Sequence, residues 1–180
     1  MLPDILNLSK IDATEIIDFL YDLFYRDFIE LDTFLAKTIY IDPRSDKKDD
    51  GKELSFWHVT TRDEKEKIWV NRKPVWKIIA RYPDFDRAAR LEWIKLILTN
   101  HDHEIIKMFY HKETNKKRNI RLYLWAYEYD FVVILQKLGR SESFLVTSFY
   151  IDNDKKRQDF EQRYDNYNNG DPDLAGCEWF

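Results

Sequence analysis

The chain predicts an α+β fold, with helices packed on one face of a four-stranded antiparallel meander and an additional hairpin near the N-terminus. Three observations carry that expectation. Four strand-like runs occupy the second half: IIKMFYHK (105–112), IRLYLWAYEY (120–129), FVVILQKL (131–138) and SFLVTSFYID (143–152). Their connections are too short to hold crossover helices, so neighbouring runs must be antiparallel. The second run is apolar on both sides, with Ile120, Leu122, Leu124 and Ala126 on one face and Tyr123, Trp125 and Tyr127 on the other, because successive side chains alternate in a strand. The segments flanking the meander repeat their apolar residues at helical spacing instead. One sheet face would then pack on helices while the aromatic face stays accessible.

Each element has its own signal. A first helix is expected from about Thr14 to Glu30: Asp12 and Glu15 have capping-box spacing, and Ile16, Leu20, Leu23, Phe24 and Phe28 form the apolar stripe. TIYID (38–42) and LSFWHVTT (54–61) read as two strands around the exposed loop PRSDKKDDGK, which makes the additional hairpin. Residues 62–84 show no clear pattern, and Pro74 and Pro83 act as breakers. Asp84 or Asp86 then caps a helix over ARLEWIKLILTN, with Leu91, Ile94, Ile97 and Leu98 inward and Arg87, Arg90 and Lys95 towards its other faces. A last helix covers 155–167, and NNGDPDLAGCEWF reads as a loose terminus whose Trp179 and Phe180 are free to dock. A single domain over 1–168 and a flexible or docked tail over 169–180 follow.

Composition bounds the function classes. With 180 residues, 44% of them hydrophobic, the chain can bury about two-thirds of its unfolded surface in one core. No apolar run approaches the roughly 20 residues that span a bilayer, and MLPDILNLSK lacks a signal peptide's basic-then-apolar layout. A cytoplasmic chain without membrane association is expected, in a bacterium or an infected host cell. Cys177 is the single cysteine, which excludes an internal disulfide and a multi-cysteine zinc site. The net charge of −4 lies wholly in residues 152–180, which hold eight acids against four bases. Upstream, the stretch 105–121 carries Lys107, Lys112, Lys116, Lys117, Arg118 and Arg121 against Glu113. Such a basic hairpin is either a phosphate-contacting surface or a solvated lysine-rich turn.

Four segments resemble a known family. GKELSFWHVTTR (51–62), RAARLEWIKLIL (87–98), IRLYLWAYEYDFVVIL (120–135) and FLVTSFYID (144–152) look like small phage and prophage proteins of the barnase, EndoU, colicin and RelE-like nuclease superfamily. The resemblance covers roughly residues 38–158. It implies helices on one face of an antiparallel sheet, metal-independent RNA cleavage without a cofactor, and often a toxin role with an immunity or antitoxin partner.

That chemistry requires a base for the 2′-OH, an acid for the departing 5′ oxygen and fixed positive charge on the phosphate. His58 is the candidate for proton transfer, since an imidazole of ordinary pKa about 6.5 works in either direction near neutrality. As a strand residue it would lie opposite Trp57, with Phe56 and Thr60; the competing reading is a hydrogen-bonded core histidine. Thr60, Thr61, Arg62, Arg87 and Arg90 could contact phosphate, Arg62 and Arg90 ahead of Arg87, although exposed arginines commonly pair with neighbours such as Asp86 or Glu92. In the last strand Thr147, Ser148 and Tyr150 resemble the family's hydroxyl and aromatic positions. Alternation separates Thr147 from Ser148 and Tyr150 unless a bulge intervenes. Lys107, Lys116, Lys117, Arg118 and Arg121 complete the expected RNA contacts. His101, His103 and His111 with Asp102 lack a recognisable zinc spacing. Tyr123, Trp125 and Tyr127 either stack unpaired bases or form core under a helix. The alternative to an enzyme is an inert protein that keeps this fold to bind a protein or RNA.

Overall fold

The computed structural model describes residues 2–114 and 117–180. In chain order its elements are α1 (Ile16–Tyr25), β1 (Phe34–Leu35), β2 (Ile39–Asp42), β3 (Lys48–Asp49), β4 (Lys52–Glu53), α2 (Leu54–Thr60), β5 (Thr61–Val70) and β6 (Lys73–Pro83). There follow α3 (Phe85–Ala88), α4 (Leu91–Thr99), β7 (Ile106–Lys112), β8 (Ile120–Ala126), β9 (Phe131–Lys137), β10 (Glu142–Tyr150) and α5 (Asp154–Asn168). The first helical stripe continues past Tyr25 as a wider turn over Arg26–Glu30.

Strands β7 to β10 pair as an antiparallel meander, but the sheet is larger than the four strands expected. β2 joins β10 in parallel, from Tyr40 opposite Glu142 to Asp42 opposite Phe144. β1 adds beyond it, and the six-stranded order is β1-β2-β10-β9-β8-β7. The sheet is therefore mixed, not an antiparallel meander of four. A parallel pair needs a long connection, and everything between Asp42 and Glu142 supplies it. Local patterns carry no information about that pairing.

The expected N-terminal hairpin does not form either. TIYID is strand β2, whereas LSFWHVTT is helix α2 followed by the start of β5. Its aromatic and β-branched residues favour strands only where a pleated surface receives them. Here Ser55, Phe56, Val59 and Thr60 are buried, a helical stripe turned onto the core. Thr60 and Thr61 donate their hydroxyls back to the carbonyls of Phe56 and Trp57, at 2.7 and 2.8 Å.

Both faces of the sheet are covered, which corrects the expectation of helices on one face only. One face builds the main core, where Leu122, Leu124, Ala126, Val133 and Leu135 meet Leu20, Phe24, Phe56, Ile94 and Leu98. On the other, Phe109, Tyr123, Trp125 and Val132 pack with Phe160 of α5. The aromatic face expected to be accessible is thus a second core. Phe160 meets Tyr123 edge-on at 5.8 Å between ring centroids and Phe149 at 5.7 Å, the geometry that ring quadrupoles favour. Asn153 caps α5 by accepting from Lys156 N–H at 3.0 Å, and Arg157 pairs with Asp130. The terminal segment returns to the body, where Trp179 N–H donates to the Tyr110 hydroxyl at 2.9 Å.

The stretch 62–84, unpatterned in sequence, contains most of a long two-stranded ribbon, β5 with β6. Pro74 and Pro83 are tolerated because each ribbon strand has a free edge that needs no N–H donor. No helix among the described residues is long and apolar enough to cross a membrane.

Candidate active groove

The site follows from where β2 stops. β2 accompanies β10 only as far as Phe144, and α2 lies against β10 beyond that point. Ser55 Oγ donates to the Leu145 carbonyl at 2.9 Å and Thr147 Oγ1 to the His58 carbonyl at 3.0 Å. A bulge accompanies the change: Leu145 pairs with Leu135 but Thr147 with Ile134, leaving Val146 over. An extra residue bends its strand and re-aims side chains. Thr147 consequently reaches α2. Ser148 is fully buried, its Oγ without a partner among the described residues.

An open groove of about 530 Å³ lies beside this junction, lined by Trp57, His58, Thr61, Arg62, Asp63, Lys65, Arg87 and Thr147. That volume is within the range of ligand clefts. His58 is exposed at the end of α2. Desolvation by the groove walls lowers its pKa from the ordinary 6.5; Asp63 and the Val146 backbone oppose the shift, while Lys65 and Arg87 reinforce it. The shift favours the neutral ring, the form that can accept a proton.

Asp84 organises the arginines. It caps α3, and its carboxylate accepts from Arg62 Nε at 2.6 Å and pairs with Arg87 Nε at 3.6 Å. Arg87 Nη1 also donates to the His58 carbonyl at 2.6 Å and to the Thr61 carbonyl at 3.3 Å, which satisfies the C-terminal end of α2. Arg87 is thus largely a fastener, although burial works against its charge. Arg62 is different, because its side chain is 70% exposed despite the bond to Asp84. A smaller cavity of about 350 Å³ adjoins, sharing Arg62 and Arg87 and adding Asp84, Asp86, Phe149, Tyr150, Asp152 and Lys156.

The remaining expected site residues are placed as follows. Arg90 lines neither cavity; its guanidinium lies 4.2 Å from the Tyr150 ring centroid and donates to the Asp86 carbonyl at 2.6 Å. Thr60 is buried on the core side of α2. Lys107 sits over Tyr127 at 4.5 Å on the sheet face that α5 covers. Arg121 pairs with Glu113 at 3.6 Å. Lys117 and Arg118 are exposed in the β7–β8 connection, with β8 and β9 between that edge and β10. Lys116 lies outside the described residues. Among the described residues no group of three or more His, Cys, Asp or Glu side chains could hold a metal ion. His101 packs against Phe180 and His111 against Tyr123.

Sequence reasoning missed Trp57, Asp63 and Lys65 as groove residues and Asp84 as the organiser of Arg62 and Arg87. The alternation of Thr61, Asp63 and Lys65 was the available signal. The two prolines masked it. The chain matches no protein-family model, no curated protein and no solved structure.

Proposed function

We propose that the chain is a metal-independent endoribonuclease, acting on host RNA in the cytoplasm of a bacterium or infected cell, as a phage or prophage toxin. One observation carries this reading: His58, Thr61, Arg62, Arg87 and Thr147 line the same open groove. The likeness of four segments to phage and prophage nucleases supports it. The mixed sheet departs from the fold which that likeness implies, so the weight rests on the groove.

Neutral His58 takes the proton of a 2′-OH, and the 2′ oxygen attacks the adjacent phosphorus. The bond to the 5′ oxygen breaks, and that oxygen takes a proton from solvent. The products are a 2′,3′-cyclic phosphate and a 5′-OH. Arg62 and Lys65 stabilise the charge that builds on the phosphoryl oxygens, where fixed donors contribute most. Thr147 and Arg87 hold the end of α2 that presents His58, and Arg90 supports Tyr150 at the adjoining cavity. A toxin of this kind requires an immunity or antitoxin protein in its producer.

His58→Ala should lower cleavage by on the order of 10²-fold or more with folding intact, and cleavage by the wild-type chain should persist in EDTA. A substrate carrying a single 2′-deoxy nucleotide at the cut site is the sharpest probe, because it lacks the attacking oxygen. Equal cleavage of that substrate, or abolition by EDTA, refutes the mechanism.

A second reading, an inert binding module, is favoured by one detail: Arg62 and Arg87 already hold partners in Asp84 and two carbonyls. Expression in bacteria separates the two readings. Slowed growth with loss of intact RNA supports the enzyme; normal growth at high expression supports the module.

A further inference from the structure

β5 and β6 form a ribbon that pairs with no other strand among the described residues. At about 3.3 Å per residue it extends roughly 30 Å. Its two-residue turn has Asn71 and Arg72 at φ of 49° and 63°, the conformation that matches the twist of a hairpin. Near the tip Trp69 and Trp76 are 68% and 65% exposed. Two bare indoles on an unsupported ribbon have no role in the core.

The register divides the ribbon into two dissimilar faces. Asp63, Lys65, Lys67 and Trp69 alternate onto one face of β5, opposite Arg81, Ile78, Trp76 and Pro74. Glu64 and Glu66 fall on the other face, together with Lys73 and Lys77, so that Lys65 and Lys67 are the lysines on the indole face. Asp63 and Lys65 also line the groove beside His58. A single surface therefore starts as the groove wall and runs outward through lysines to the indoles. Lys67 Nζ lies 5.5 Å from the Trp69 ring centroid. From Lys67 to Ile78 the sequence holds Lys67, Arg72, Lys73 and Lys77 and no acid. The tip is thus a second basic stretch beside that of 105–121, in a chain of net charge −4.

We propose that this face of the arm binds single-stranded RNA and guides it into the groove. Unpaired bases stack on Trp69 and Trp76, and the backbone phosphates meet Lys65 and Lys67. Stacking platforms interleaved with cations are what a single strand offering both π-faces and negative charge requires. A protein partner would be better served by one uniformly apolar face. In this ribbon Ile68, Val70 and Val75 point away from the indoles. The proposal rests on the nuclease reading for what happens in the groove, but binding can be measured apart from cleavage.

The probe is a fluorescent oligoadenylate of about 12 nucleotides, titrated by anisotropy into the full-length His58→Ala chain so that it stays intact. Adding Trp69→Ala with Trp76→Ala should weaken binding roughly tenfold or more, with an unchanged circular dichroism spectrum. Tyrosine at both positions should restore most of the affinity, which separates stacking from damage to the ribbon. Lys67→Gln should lower the slope of log affinity against log salt by about one. Unchanged affinity in the double-alanine chain overturns the proposal. So does equal affinity for duplex DNA, or loss of self-association with RNA binding retained, which would assign the arm to a second copy of the chain. Wild-type protein that binds through the arm yet leaves RNA intact would refute the nuclease reading and keep this one. Cleavage with arm-independent binding would do the reverse.

Discussion

His58 owes its behaviour to a carbonyl and a helix end as much as to its own ring. Its backbone oxygen receives Thr147 and Arg87, which holds the end of α2 that carries the imidazole, and desolvation lowers that imidazole's pKa. Cleavage should therefore retain its rate down to a pH below the ordinary histidine value of 6.5, and the acid limb of the pH–rate profile should vanish with His58→Ala. A limb centred above 6.5 in the wild-type chain would contradict this assignment. Stability follows the same sign. His58 and His111 both have lowered pKa values in the folded chain, so the unfolded chain binds more protons between the two pKa values. Both contributions are complete above pH 6.5 and are lost as pH falls towards the folded values.

At the scale of elements, α5 serves as a cover, with Lys156 at the edge of the smaller cavity. Phe160 is buried against Phe109, Tyr123, Trp125 and Phe149, and Phe160→Ala should cost about 3–5 kcal/mol in urea unfolding, without changing kcat below the transition. A loss under 1 kcal/mol would mean that the second core is loosely packed. The elements also divide by how far they could be read from sequence. Strands β7 to β10 were legible because their apolar, β-branched and aromatic runs are separated by turns, although the larger mixed sheet they join was not, and α4 and α5 because their stripes or caps are local. α2 was not, since Phe56, Val59 and Thr60 satisfy a strand pattern until the core beneath them is known. The ribbon was hidden by Pro74 and Pro83, which are breakers in a sheet interior and harmless at a free edge. For the groove, His58, Arg62 and Thr147 were recoverable by residue type. Asp63 and Lys65 were not, because they belong to the strand that went unrecognised. Nor could sequence foresee that Ser148 would be sealed in the core while its neighbour Thr147 faces α2; that depends on the bulge at Val146.

For the whole molecule, the governing contact is between segments remote in sequence. Tyr40 to Asp42 lie beside Glu142 to Phe144, and α2 is fastened to Leu145 and Thr147. Non-local pairings must pay loop-closure entropy before they return any contact energy. Refolding from urea should accordingly occur over roughly milliseconds to seconds, as in sheet-rich domains; stopped-flow refolding complete within microseconds would contradict this topology. The same fastening orders events during synthesis. When His58 leaves the ribosome, the strand that holds its helix in place has not been made. The nascent chain has no groove until residue 147 has been translated and released from the exit tunnel. An RNA-cleaving activity of the kind proposed would therefore stay silent on the ribosome that makes it, and chains broken off early would emerge without the groove.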